Sequence, residues 1–169
     1  MSINDEAVVG AIASDAAMKR YLTFALGGEE FCINISNVIE IIGVQPITRL
    51  PAVPAFIKGI INLRGRIIPV IDMRVRFHKE EVAYNDRTCV VVVEVQGVQE
   101  LTVGLIVDSV TEVLSLADGQ IVPPPRQRGA GEQNKYICGI GRVDNQVKLM
   151  LDCEKLLQDQ STPEERAGI

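Results

Sequence analysis

The sequence predicts a mainly β protein in which two related small β-barrels of five strands each pack on a shared apolar core, with a C-terminal helix. Two observations lead to this prediction. Strand-type runs are short and are separated by turns rich in glycine, asparagine and proline. In addition, parts of the chain occur twice in the same order. Short strands leave open sheet edges, and closure into small barrels removes those edges.

The strands are predicted from pairs of apolar segments joined by short turns. Segment 21–35 alternates apolar and polar residues on both sides of Gly27 and Gly28, which is typical of a hairpin. Segment 59–72 has the same form. The β-branched run TCVVVVEV and the run LTVGLIV, within 88–107, pair across a polar turn.

Two helical elements are predicted. Segment 36–42 (SNVIEII) forms a short helical turn, for which Ser36 supplies the cap and Gly43 the end. The stretch DCEKLLQDQ forms a closing helix over about 152–160, with Asp152 as its cap.

The repeat consists of two pairs of similar segments. Residues 59–77 resemble residues 139–157, and INISNVIEII at 33–42 resembles LIVDSVTEVL at 105–114. The offsets are 80 residues (59 to 139) and 72 residues (33 to 105). Hairpins of similar composition also look alike by chance, and that alternative stays open. The conserved order favours two related β units.

These units divide the chain. We expect an N-terminal tail at 1–18, one domain over 19–157 with subdomains at about 19–85 and 86–150, and a C-terminal tail at 161–169. The N-terminus is acidic before its short apolar run, unlike a signal peptide. Apolar runs fall short of the roughly 20 residues that span a bilayer, so no direct membrane insertion is expected.

The charge balance bears on nucleic-acid binding. The chain has 22 acidic and 17 basic side chains, a net charge of −5, and 4% aromatic residues without tryptophan. Nucleic-acid binding relies on basic patches and base stacking. A small-barrel nucleic-acid-binding protein is therefore the alternative interpretation, not the preferred one.

Catalytic and metal-binding patterns are weak. The four cysteines, Cys32, Cys89, Cys138 and Cys153, have no CxxC spacing and lie among apolar neighbours, so we expect reduced core thiols. His78 is the one histidine and lies in a charged stretch. No convergent set of nucleophile, base and metal ligands emerges. The sequence predicts no catalytic, cofactor-binding or metal-binding residues, and an unrecognised small enzyme is the disfavoured third class.

Arg64 is the most informative polar residue. It lies in the turn NLRG, where Asn62 suits turn entry and Gly65 supplies a permissive backbone. Its counterpart in the second copy is Asp144, so the repeat itself does not demand an arginine. A guanidinium pairs well with a carboxylate. We expect Glu40, in the neighbouring predicted helical turn, to be its partner on this chain.

Four apolar residues are candidates for an apolar strip that receives a partner helix. Val38 and Ile41, and likewise Val110 and Val113, lie three residues apart on the two predicted helical turns. These residues are expected to belong partly to the core. Side chains that stay exposed would form the strip.

Three segments together resemble the CheW family, the coupling proteins of bacterial chemotaxis. They are FIKGIINLRGRIIPVIDMRVRF, YLTFALGGEEFCINISNVIEI and GLIVDSVTEVLSL. The resemblance runs from about Tyr21 to Leu157, nearly the whole predicted domain.

The resemblance implies a non-catalytic adaptor with two five-stranded barrels around a shared apolar core. Such proteins bridge the cytoplasmic tips of methyl-accepting chemoreceptors to the regulatory domain of the histidine kinase CheA. The location implied is cytoplasmic, with recruitment to the inner face of the membrane through receptor arrays. No nucleic acid and no cofactor is implied.

The resemblance also implies which residues contact partners. The arginine of the NLRG turn matters in the family, and Arg64 matches it. The receptor tip is expected in a groove between the barrels, and the kinase near a face of the first barrel that includes turns at Gly59 and Gly65. The expected partner-binding residues are Val38, Glu40, Gly59, Asn62, Arg64, Gly65, Val110 and Val113.

Overall fold

The computed structural model describes residues 18–95, 101–124 and 135–158 and confirms a mainly β fold. Most of the expected tails, 1–17 and 161–169, lie outside the described residues. The strands are β1 Met18–Leu26, β2 Glu29–Asn34, β3 Val38–Gly43, β4 Ile57–Leu63, β5 Arg66–Asp72, β6 Cys89–Val95, β7 Leu101–Val107, β8 Ser109–Ala117, β9 Ile121–Val122, β10 Ile137–Val143 and β11 Gln146–Leu151. Among the described residues, two short α-helices, α1 Met73–Arg76 and α2 Cys153–Gln158, follow β5 and β11, and 3₁₀ helices cover Ile35–Asn37 and Asp118–Gln120.

The strands form two sheets, of six and five strands. The six-stranded sheet has the order β8-β1-β2-β11-β10-β9, and the five-stranded sheet has the order β3-β6-β7-β5-β4. The three predicted hairpins are present as β1–β2, β4–β5 and β6–β7. The expected five strands per barrel are therefore correct for one sheet, whereas the other has six, and among the described residues hydrogen bonding closes neither sheet into a complete barrel.

The sheets exchange hairpins between the two sequence repeats. The five-stranded sheet takes β3, β4 and β5 from the first half and the hairpin β6–β7 from the second. The six-stranded sheet takes the hairpin β1–β2 from the first half and β8 to β11 from the second. In each sheet, one parallel pair joins strands from the two halves of the chain. These pairs are β5 with β7 and β11 with β2. The sheets therefore do not coincide with the predicted units 19–85 and 86–150.

Each sheet bends so that one of its edge strands, β8 or β3, is followed in the chain by residues that pair with the opposite edge of the same sheet. In the six-stranded sheet, β8 pairs with β1, and only the 3₁₀ helix Asp118–Gln120 separates it from β9, which pairs with β10. In the five-stranded sheet, β3 pairs with β6, and Thr48 beyond it forms an isolated bridge with Ile60 of β4. Because the two sheets join their edges in the same way, the structure supports the predicted internal repeat.

The apolar core has one large shared part and two small ones. The shared part takes residues from both sheets, and its aromatic rings Phe24, Phe31, Phe77 and Tyr136 form a row with centroids 5.5–6.4 Å apart. Each bent sheet also encloses a smaller cluster of its own. Burial of this kind stabilises the fold by roughly 25 cal/mol per Å² of apolar surface. The expected shared apolar core is present.

The predicted helical turn at 36–42 is wrong. The 3₁₀ helix covers only Ile35–Asn37, and its cap is Asn34, whose Oδ1 accepts from the backbone N–H of Ser36 at 2.9 Å. Val38–Gly43 is the strand β3, with alternating half-buried and exposed residues. The β-branched residues of this segment suit a pleated surface better than a helix.

The predicted cap at Asp152 is confirmed, unlike that at Ser36, and one cysteine differs from expectation. Asp72 caps α1, and the Asp152 carboxylate accepts from the backbone N–H of Lys155 at 3.0 Å at the start of α2. All four cysteines are free thiols. Cys138 is exposed on β10, whereas it was expected in the core, because β10 turns this side chain away from the enclosed cluster.

Candidate functional site

The turn between β4 and β5 holds Arg64 in an unusual backbone conformation. Arg64 has φ of 53° and Gly65 has φ of 87°, and the backbone N–H of Gly65 donates to Oδ1 of Asn62 at 2.8 Å. Two-residue hairpin turns with positive φ favour asparagine, aspartate and glycine. The counterpart turn follows this preference with Asp144 at 47° and Asn145 at 64°. The turn geometry therefore does not explain the arginine.

Arg64 forms the predicted ion pair with Glu40. Nη1 of Arg64 lies 2.8 Å from Oε1 of Glu40, which confirms the expected contact. The Arg64 side chain is 78% exposed, whereas that of Glu40 is 20% exposed. An exposed pair of this kind contributes about 0–1 kcal/mol to stability. Most of the guanidinium surface therefore stays accessible to a partner.

The Arg64–Glu40 pair spans the two edges of the five-stranded sheet. Glu40 lies on the edge strand β3, not on a helical turn, and Arg64 lies at the end of the other edge strand, β4. With the Thr48–Ile60 bridge, the pair holds the edges of the bent sheet together. The hairpin tip, defined here as Asn62 to Arg66, projects beside this junction, and all its residues except the half-buried Leu63 are exposed.

The three valines expected in a groove lie on strands. Val38 begins β3 in one sheet, and Val110 and Val113 lie on β8 in the other. Val38 and Val110 are half-buried and pack against the shared core. Val113 is 44% exposed and its counterpart Ile41 is 42% exposed, so an apolar side chain is available on each edge strand. The prediction that these residues lie on two helical turns is wrong.

Gly59 lies inside β4 and not in a turn, which corrects the expectation for this residue. It is buried, has φ of 150° and stands at a register shift of the β4–β5 pair. A Cβ atom at this position would lie 2.1 Å from the backbone oxygen of Thr48. Its position favours a structural role in the edge contact over a direct contact with a partner.

Two exposed apolar residues near the hairpin tips were not predicted. Ile67 on β5 is 60% exposed, and its repeat counterpart Val147 on β11 is 57% exposed. The sequence carried no signal that separates Ile67 from Ile68, because alternation places the two side chains on opposite faces but does not say which face is buried. Each sheet thus presents one apolar side chain beside its hairpin turn.

The part of the chain that the structure describes shows no cluster of three or more histidine, cysteine or acidic residues that could hold a metal ion. His78 is exposed. Burial raises the pKa of Cys32 and of Cys153 to about 12, which keeps both thiols protonated and poorly nucleophilic at neutral pH. The site is therefore a protein surface, formed by a charged hairpin and exposed apolar side chains on strands.

Comparison with known proteins decides the family. The family model of the CheW-like domain matches residues 20–161. The chain is 38% identical to chemotaxis protein CheW of Klebsiella aerogenes, over 91% of this chain and 90% of that protein. The chain belongs to the CheW family. Among solved structures, the scaffolding protein TtCheW from Thermoanaerobacter tengcongensis matches with a TM-score of 0.72 and 34% identity, over 79% of this chain and 88% of that one.

Membership in the CheW family sets the coarse function. The chain is a non-catalytic scaffold protein of chemotaxis signalling, which confirms the predicted scaffold role over the enzyme alternative. A more distant relative, protein FrzA of Myxococcus xanthus, is 29% identical over 88% of this chain and 91% of that protein. Among the described residues, the helices are too short to cross a membrane.

Proposed function

We propose that this chain couples the cytoplasmic tips of methyl-accepting chemoreceptors to the regulatory domain of the histidine kinase CheA. On this proposal it works in the cytoplasm and is held at the inner face of the membrane by receptor arrays. The receptor tip contacts exposed edge-strand residues such as Val113, and the kinase contacts the hairpin tip. Gly59 supports that tip from inside β4.

The observation that carries the proposal is the presence of Arg64 in a turn that disfavours it. A left-handed backbone at a residue other than glycine, asparagine or aspartate costs on the order of 1 kcal/mol. The exposed pair with Glu40 offsets at most a similar amount. Because stability gains little, a contact with a partner is the better reason for the arginine. Its 78% exposure leaves donors for a partner carboxylate.

The experiment co-sediments the full chain with CheA and a receptor cytoplasmic fragment and measures kinase activity. Arg64→Asn introduces the residue that the turn favours, so the variant should fold as well as wild type. We expect it to lose most kinase activation. The matched control is Asp144→Asn in the counterpart turn, which should keep activation near the wild-type level.

Exchange of the charges at positions 40 and 64 distinguishes the internal ion pair of Arg64 from a contact between Arg64 and a partner protein. The double variant Glu40→Arg with Arg64→Glu restores the internal pair but reverses the exposed charge. We expect it to stay uncoupled. Recovery in the double variant would assign Arg64 to the internal pair alone, and full coupling by Arg64→Asn would refute a role for the arginine in the contact.

A further inference from the structure

The two sheets meet along two equivalent clefts; a segment of the chain crosses one of them, and no described residue crosses the other. The strapped cleft, of about 290 Å³, is lined by Asp72, Arg74, Asp108 and Ser109 and by residues 82–85, 87 and 88 of the segment that crosses it. The open cleft, of about 550 Å³, is lined by the repeat counterparts of the first four residues. They are Asp152 and Glu154, offset by 80 residues, and Ser36 and Asn37, offset by 72.

The strapped cleft is neutralised by its own chain. Arg74 donates from Nε to Oδ1 of Asp108 at 2.7 Å and from Nη2 to Oδ2 at 2.6 Å. The hydroxyl of Tyr84, in the segment that crosses the cleft, donates to Oδ2 of Asp72 at 2.9 Å. Burial alone would raise the pKa of Asp108, but the Arg74 and Gly27 hydrogen bonds outweigh it and lower that pKa.

The open cleft is lined by acidic side chains but has no arginine in the position that corresponds to Arg74. Glu94, Asp152 and Glu154 line it, and its lining among the described residues contains no lysine, arginine or histidine. The position of Arg74 is taken by Glu154, which reverses the charge. The amide and hydroxyl groups of Asn34, Ser36 and Asn37 add hydrogen-bonding groups at one wall. Within the described part of the chain, the residues that line this cleft therefore supply no cation to neutralise its carboxylates.

We propose that the open cleft binds a lysine- or arginine-bearing segment of a partner protein, whose cation takes the place that Arg74 has in the strapped cleft. The repeat supplies the template, because the same fold position holds a guanidinium between carboxylates in one half. The space suits a short peptide segment, since its free volume of about 550 Å³ is nearly twice the 290 Å³ that stays free beside the strap and Arg74 in the other cleft. The proposal does not depend on the contact at Arg64.

The test is a titration of the ¹⁵N-labelled full chain with acetyl-Ala-Arg-Ala-amide, followed by amide chemical shifts. The matched probe replaces arginine with citrulline, which keeps the shape and removes the charge. We expect shifts clustered at Ser36, Asn37, Glu94 and Cys153, at least fivefold weaker binding of the citrulline peptide, and weakening by salt.

Two variants make the same change of charge at different places. Glu154→Arg copies the strapped cleft and should lower affinity for the arginine peptide at least fivefold, while its amide spectrum shows an intact fold. Glu112→Arg, on the exposed edge strand β8, should leave the affinity within twofold of wild type. Equal effects of the two variants, equal binding of the two peptides, or shifts outside the cleft would overturn the proposal. An absence of shifts, as when residues 159–169 of the chain already fill the cleft, would overturn it too.

Discussion

Replacement of Gly59 with alanine separates a structural role of this residue from direct partner binding. The new methyl group would be placed 2.1 Å from the backbone oxygen of Thr48, well inside contact distance. The backbone φ of 150° is also a conformation that residues with a side chain rarely adopt. We therefore expect the edge contact between Thr48 and Ile60 to open.

The magnitude follows from two contributions. The backbone strain costs about 1–3 kcal/mol. Opening of the edge contact removes two hydrogen bonds, of 2.9 Å from Thr48 N–H to Ile60 oxygen and of 2.8 Å from Ile60 N–H to Thr48 oxygen. Each is worth about 0.5–1.5 kcal/mol. The free energy of unfolding should therefore fall by about 2–6 kcal/mol.

Urea unfolding of the full chain, followed by circular dichroism, measures this change. The matched control is Gly139→Ala at the repeat counterpart, where the nearest atom to the new methyl is Cγ2 of Ile121 at 3.1 Å. That contact is tight but lies at the end of a side chain that can shift, so the loss should stay near the lower end of about 1–3 kcal/mol. Wild-type stability of Gly59→Ala, or equal losses in both variants, would refute the steric argument.

Two further predictions concern titratable groups. Asp108→Asn should lower stability by about 1.5–3 kcal/mol at pH 7, because it removes charged hydrogen bonds to Arg74. Since the folded-state pKa of Asp108 is lowered, that stabilisation is full above the unfolded pKa of about 3.9 and is lost as pH falls through the folded pKa. Denaturation curves of the two proteins should therefore converge in acid, and a constant gap from pH 7 to pH 2 would contradict this. Alkylation of the folded protein with iodoacetamide, followed by peptide mass mapping, should label exposed Cys138 well before buried Cys32; faster labelling of Cys32 would show that the six-stranded sheet opens readily.

The hairpins and the helix caps were predictable from the sequence because their determinants are local. Glycine-containing turns between alternating apolar runs specify antiparallel neighbours, and Asp72 and Asp152 satisfy backbone donors a few residues away. The Arg64–Glu40 pair was also accessible, because the repeat showed that the arginine is not required by the turn. Even so, the helical turn assigned to Glu40 was wrong, and strand β3 brings it to the same place.

The exchange of hairpins between the repeats was not predictable from local patterns. It depends on parallel pairing of β5 with β7 and of β11 with β2, and these strands are far apart in the chain. The exposure of Ile67 and the burial of Gly59 follow from the same long-range arrangement. Single-sequence reasoning gives the period of a strand, but which face meets the core depends on the neighbouring strands.

The last prediction concerns an ion pair whose lysine is buried and whose glutamate side chain is 34% exposed. Lys148 on β11 is 1% exposed inside the six-stranded sheet and forms an ion pair with Glu30 of β2. The counterpart positions in the other sheet hold Ile68 and Thr102, and Ile68 is buried in the apolar cluster there. Burial lowers the pKa of Lys148, so the fold already carries a desolvation penalty at this position.

The double variant Lys148→Ile with Glu30→Thr copies the apolar arrangement and should leave stability unchanged or raise it by about 1–4 kcal/mol. Glu30→Thr alone should lower stability by about 1–3 kcal/mol, because the buried ammonium loses its counter-ion and keeps only Oε1 of Gln146 at 3.2 Å. Thermal unfolding of both variants at pH 7 measures the difference. If the double variant proves less stable than the single one, the ion pair stabilises this sheet in its own right, and the two sheets of the repeat are not interchangeable inside.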